Sequence, residues 1–456
     1  VIGMLKIMSD RKQKIKFKRF WIAAIIIVAL NLNAFADITS NIKADSTSDS
    51  LSMEQVISDV LKNNDRLAAA RFMEKSSQEN ARAVGKWDDP MLMLGVQNIP
   101  TSSWKLNQDD MTMRMAGLSW AIPYAGEKGL QAKAAKSEAS ASMAAREMTT
   151  LDLITAAKMA YYDLYYRDKY LDDLKTQHEL MSEVAKAAMA RLKTNQAGQE
   201  EVLAAQSNVW RLETEMLDTQ HEIDDAIFSL NNLRGKKIVS SEPRLETPVF
   251  SALPQDISGW VDTAFSNYPE LRRLESQSES YGFSSAASRR MRWPMLSLST
   301  QYGYRQGYGM MGPRDNMVSF GANISLPIFS HSKEGAMARS MDLMRRSTEA
   351  QTSQLRRDIE SRVATLYQTA WSYSEKIKIY KNKIIPASEQ AYQSAYAGYI
   401  NNRINFSSLL NYAADLYRDK TTTTLLSLDY ARTMAEIEKY TADTTVFKVE
   451  NIQKDR

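Results

Sequence analysis

Cysteine is absent from the 456 residues, which excludes a disulfide framework and any thiolate metal site and leaves no residue to carry a lipid within this stretch. Beyond residue 36 no run of eighteen or more apolar residues occurs, so no transmembrane helix is expected. Histidine is scarce, and His178, His221 and His331 have no ligand spacing. No nucleophile–base pair, phosphate loop or paired acid stands in a convincing context, so neither catalysis nor a cofactor is expected. An excess of one charge is missing too. Of 58 basic and 54 acidic residues, seven basic and one acidic lie in 1–36, leaving 51 against 53. That balance removes electrostatic support for nucleic-acid binding.

What is present begins with Lys12, Lys14, Lys16, Lys18 and Arg19 before "FWIAAIIIVAL" and "NAFA", with Ala34 and Ala36 in small-residue cleavage positions. Residues 1–36 are therefore expected to be a secretory signal peptide with the mature chain starting near Asp37, and 37–50 a loose polar arm.

The same local design is stated twice. "GLSWAIPYAG" (117–126) answers "GANISLPIFS" (321–330), "DDPMLML" answers "RWPMLSL", and "KNNDRL" answers "SNYPEL", each pair 204 positions apart. Three matches in one register predict an internal duplication of about two hundred residues, far above solenoid length. The first copy is placed at 51–234, a connector at 235–255, the second copy at 256–440 and a tail at 441–456.

Each copy reads helix, strand, strand, long helix, return helix. Ser52 and Gln55 have capping-box spacing, with a first helix expected to about Trp87. In "VSFGANISL", Val318, Phe320, Ala322, Ile324 and Leu326 alternate with Ser319, Gly321, Asn323 and Ser325, as do Leu118, Trp120 and Ile122 with Gly117, Ser119 and Ala121. Such alternation predicts strands with one apolar side. A stretch from about Gly126 to Thr194 has neither proline nor, after Gly129, glycine, and as a helix would be ~100 Å long. The turns after the long helices match at 207 rather than 204, which places three extra residues inside the second long helix.

Both helices of a copy are expected to leave the same side of a β layer, giving an α+β fold in which helices form a cylinder wall. Strands of about 9–11 residues with an apolar outer face suit a tilted membrane strand. In lipid every backbone amide must be paired, so such strands need a closed barrel, and four per chain are too few without sister copies.

With this plan, the joints at Pro123 and Pro327 and the tips "ARLKTNQAGQEEVLAAQ" and "GYINNRINFSSLLNYA", the chain resembles the TolC-like outer-membrane efflux channels. "WDDPMLMLGVQNIP" is similar to the heavy-metal branch, although the joint lacks that branch's second proline. The resemblance implies a homotrimer with a twelve-stranded transmembrane β-barrel capping a long antiparallel coiled-coil α-barrel. It also implies an inner-membrane pump, a periplasmic adaptor, outer-membrane lipid around the barrel, and a passive route for metal ions or drugs out of a Gram-negative periplasm. A protein-secretion duct of the same fold and a non-transporting trimeric stalk are the alternatives.

Candidate site residues follow from these expectations. Asn195 and Asn402 are expected to supply the left-handed turns at the two tips. Glu200 and Glu201 read either as solvated helix-start carboxylates or, in a trimer, as a ring at the periplasmic opening, with Arg403 able to pair with one of them. Leu118, Trp120, Ile122, Val318, Phe320, Ile324 and Leu326 are expected to face lipid, with Tyr302, Tyr304 and Tyr308 nearer the interface or the external loops. Met91, Met93, Met111, Met113, Met115, Met295, Met310, Met311 and Met317 cluster near the strands. They read as flexible apolar packing before soft-metal ligation.

Overall fold

The structure, a computed structural model, describes residues 50–123, 126–237, 244–250, 253, 257–309 and 312–441. The expected signal peptide, nearly all of the arm, the tail beyond Thr441 and Met310 and Met311 lie outside them, as does the side chain of Tyr308. Two units divide the chain. In the small one, Leu51 and Leu245 form a parallel bridge, the Leu51 amide donates to Arg244 O at 2.7 Å, and Ser50 Oγ donates to Glu246 at 3.0 Å.

The large unit opens with α1 (Met53–Asn63) and α2 (Asp65–Val84). The capping box at Ser52 forms as its spacing predicts, each partner satisfying the other's free amide. The single first helix expected to Trp87 is instead broken at Asn64, which ends α1 and caps α2 by accepting from the Arg66 amide at 3.0 Å. Strands β1 (Met91–Gln97) and β2 (Met113–Ile122) lead into α3 (Glu127–Lys193), and α4 (Gln199–Leu233) returns.

After the connector the order recurs. Helices α5 (Ser258–Asn267) and α6 (Pro269–Arg290) break at Tyr268, 204 positions after Asn64, because Pro269 has no amide to continue the ladder. Tyr268 stacks on Tyr440 at 5.4 Å between centroids. Then come β3 (Leu296–Tyr304), a small hairpin of β4 (Tyr308–Gly309) and β5 (Gly312–Pro313), and β6 (Met317–Ile324). Helix α7 (Glu334–Ile379), a π turn (Tyr380–Ile384) and α8 (Ile385–Ile400) form one run before α9 (Phe406–Thr441).

This run corrects the placing of the three extra residues. Helix α3 has 67 residues, and the 46, 5 and 16 residues of α7, the π turn and α8 reach the same total. Both run starts and both run ends are thus 207 apart, so the extra residues lie between Pro327 and Glu334, ahead of the helix. Within the run the π turn precedes Pro386. Proline cannot donate to the preceding turn and its ring crowds the carbonyl four residues back, which the wider turn relieves, the Ile385 amide reaching Tyr380 O.

Helix α3 is the hub, packed against α1, α2, α4, α6 and α9. Leu174, Met181, Val184 and Ala188 of α3 interleave with Val202, Ala205, Val209 and Leu212 of α4 and with Tyr399, Leu409 and Leu416 of α8 and α9. Polar ties hold the α3–α9 seam, among them Arg432 to Asp163 at 2.6 Å and Lys439 to Asp152 at 2.7 Å.

The main sheet is antiparallel in the order β1-β2-β3-β6. Pairs Met91–Ser119, Ile122–Leu296 and Leu296–Ile324 bring the start of β1, the end of β2, the start of β3 and the end of β6 to one end of it. All four helical connections therefore leave from that end. Two strands, β1 with 7 residues and β6 with 8, are shorter than the expected nine to eleven.

Candidate functional site: the sheet face and the helical tips

Alternation along four strands in fixed register gives the sheet two unlike faces. On one, Leu92, Leu118, Thr300 and Phe320 form a row, followed by Leu94, Ala116, Tyr302 and Val318. Toward the helical end the rows are Trp120, Leu298 and Ala322, then Ile122, Leu296 and Ile324. These apolar groups are uncovered, with Leu94 74% and Phe320 84% exposed. Ile122 and Leu296 are half-buried. Leu326, expected on this face, lies beyond the end of β6, because pairing stops at Ile324 where the chain turns toward Pro327.

Aromatic residues stand near both ends of this face. Trp120 packs against Trp87 at 5.1 Å and its indole N–H donates to Asp88 O at 2.9 Å. Six residues along β2, ~20 Å at strand rise, Arg114 pairs with Tyr304. The other face carries small and polar groups near the helices, such as Ser119, Ser299 and Gly321. Gly117 there has no room for a side chain, since a Cβ would come within 2.7 Å of Thr300 O. The loops after β1 and β3 are pinned by Arg314 to Asp110 at 2.5 Å and by Arg305 Nη1 donating to Asp110 O at 3.2 Å.

Strands β1 and β6 are the edges, and neither has a second strand partner among the described residues. In water such edges template association, and in hydrocarbon unpaired amides are untenable.

The tips are built differently. Asn195 (φ 56°) and Asn402 (φ 58°) are both left-handed. At the first tip the Gln196 amide reaches Arg191 O and the Asn195 amide Leu192 O; at the second the Arg403 amide reaches Gly398 O and the Asn402 amide Tyr399 O. Both are Schellman closures, in which asparagine tolerates the left-handed position better than most residues with a Cβ.

One side chain joins the two tips. Arg191 donates from Nη1 to Tyr399 O at 2.7 Å and from Nη2 to Gln196 O at 2.9 Å and to Asn402 Oδ1, while its guanidinium lies 4.1 Å from the Tyr399 ring centre. Tyr399, 1% exposed, donates its hydroxyl to Glu201 Oε2 at 2.7 Å. Burial, then the Glu201 bond, push the Tyr399 phenol up to about 12. A second tie stands farther along the helices, where Tyr170 and Tyr417 both donate to Glu215 at 2.6 and 2.9 Å, joining α3, α4 and α9.

Of the tip residues named from sequence, Glu201 and Asn402 meet in this clasp. Glu200 is exposed and folds its carboxylate over Gly198 at the start of α4. Arg403 pairs with neither glutamate, contrary to expectation: it is exposed at the crest of the turn, and Glu201 is engaged by Tyr399 a turn earlier. Arg191 and Tyr399 were missed. A basic residue in a last helical turn reads as a dipole partner and a tyrosine at a coiled-coil position as core, so neither carries a separate sequence signal.

Residues 56–236 match the family described as outer membrane efflux protein. Among solved structures, the outer-membrane channel OprN superposes with TM-score 0.73 at 17% identity over 85% of this chain and 89% of its own. CusC, described as undergoing conformational changes on folding and transmembrane channel formation, does so with 0.72 at 19% over 86% and 91%. The outer membrane protein VceC of Vibrio cholerae gives 0.71 at 16% over 85% and 95%. At such identities the likeness is one of fold. No curated protein matches the sequence.

Proposed function

We propose, from the match of residues 56–236 to the outer membrane efflux protein family, that the chain is one subunit of an efflux channel in the outer membrane of a Gram-negative bacterium. The observation that carries the proposal is the sheet, with one apolar face uncovered and both edges open. Lipid covers the apolar face, and the Trp120 and Tyr304 rows lie near its two ends as interfacial aromatics do. Edge β1 of one copy pairs with β6 of the next, and three copies close a twelve-stranded barrel. The two halves of the chain descend from one duplicated unit, which accounts for the recurring element order.

The helices then line a passive conduit through the periplasm. A pump in the inner membrane and its adaptor deliver solute to the tips, and heavy-metal ions and drugs are the candidate cargoes. The Arg191–Tyr399–Glu201 clasp holds the two hairpins of a subunit together where the conduit must open. Heptad-spaced Leu203, Trp210 and Leu217 on α4 are exposed in the single chain, and a neighbouring subunit would cover them.

Single-channel recording in planar bilayers tests the proposal. The full chain should conduct weakly, and more strongly after Glu201→Gln. A protein that inserts without conducting under either condition would be a stalk.

A further inference from the structure

The polar face of the sheet carries a feature that the conduit reading does not use. Gly303 of β3 stands between Met115 of β2 and Met317 of β6 in direct cross-strand register. Gly303 is nevertheless buried, because Met113 leans over it from two residues along β2: a Cβ built on Gly303 would stand 2.6 Å from Met113 Sδ. The sulfur of Met113 therefore occupies the space over the glycine, on the face that Met115 and Met317 share with it. Cross-strand neighbours are about 5 Å apart, and methionine has three rotatable side-chain bonds, so three thioethers can converge above Gly303 without backbone movement.

We propose that Met113, Met115 and Met317 form a binding site for a soft monovalent cation, Cu(I) or Ag(I). Thioethers select such ions, and the chain has no cysteine to compete for them. No group of three His, Asp or Glu suited to a harder ion occurs among the described residues. Pure apolar packing would bury all three side chains, but Met113 and Met115 are only half-buried and Met317 is 41% exposed. The site goes beyond the conduit reading and does not require it, since one chain supplies all three sulfurs.

Titration of the detergent-purified full chain with Ag(I) nitrate in chloride-free buffer, followed by calorimetry and by NMR of ¹³C-methyl methionine, tests the site. Leucine conserves volume closely enough to preserve the sheet. The triple variant M113L/M115L/M317L should bind one Ag(I) fewer per chain, and a control replacing the helical Met143, Met189 and Met344 by leucine should bind as the parent does. If the strand triple variant fails to fold, Met113→Leu alone should weaken the tightest Ag(I) at least tenfold. Equal Ag(I) binding by parent and strand variants, or no shift of the three methyl signals, would overturn the site. A protein that binds Ag(I) but does not conduct would count against the conduit alone.

Discussion

At the tips, both turns close on their own carbonyls, and Arg191 spans from one hairpin to the backbone and side chains of the other, only its buried Nε lacking a hydrogen-bond partner. Across the sheet the reverse holds, with the outer amides of β1 and β6 facing no strand and the apolar side meeting no protein. A single chain thus closes its helical turns and leaves its sheet edges unpaired. On the proposed function, lipid and further copies supply the sheet's missing partners, whereas the tips are held by contacts within the chain.

The largest effect expected from breaking this contrast is on the apolar face. Leu118→Arg with Phe320→Arg should abolish accumulation in the outer-membrane fraction, because an arginine facing lipid costs ~2–4 kcal/mol at mid-depth and each barrel would carry six. Ser299→Arg, on the opposite face, should still insert. Next in size, Arg191→Ala should destabilise the tips by on the order of 3 kcal/mol, since charge-assisted hydrogen bonds contribute ~1.5–3 kcal/mol each. Hydrogen exchange should then quicken at 188–206 and 395–410 and not in the strands; uniform quickening would mean that the clasp is only part of the general packing.

Asn402→Val should cost ~1–2 kcal/mol through its left-handed backbone, whereas Asn402→Gly should lose only what the Arg191 contact contributes. Thermal unfolding of the two variants separates backbone strain from the hydrogen bond. The smallest effect is alkaline. The folded Tyr399 phenol is raised to about 12 from a usual value near 10. Its contribution is therefore complete below about pH 10 and is lost as pH rises toward 12. Tip exchange should accelerate across that window in the parent and less steeply in Tyr399→Phe.

How much of this was legible in the sequence depended on whether the cause was local. Strand alternation around Phe320 and the turn asparagines are local, and both could be read directly. The breaks at Asn64 and Tyr268 lie inside the matching segments "KNNDRL" and "SNYPEL", but amphipathic spacing continues across them, so neither the cap nor the Pro269 start stands out from helix interior. The place of the three extra residues is not legible, because the irregular joint between Pro327 and Glu334 leaves no periodicity to count. The clasp was illegible: Arg191 and Tyr399 are 208 positions apart and meet only through the packing of α3, α4, α8 and α9.

The claim that the sheet is completed only by sister copies is tested most directly by native mass spectrometry of the detergent-extracted full chain, paired with infrared measurement of strand content. Three copies per particle, with strand content retained, is the predicted result. A monomer that keeps its sheet in detergent and remains impermeable on reconstitution would contradict it.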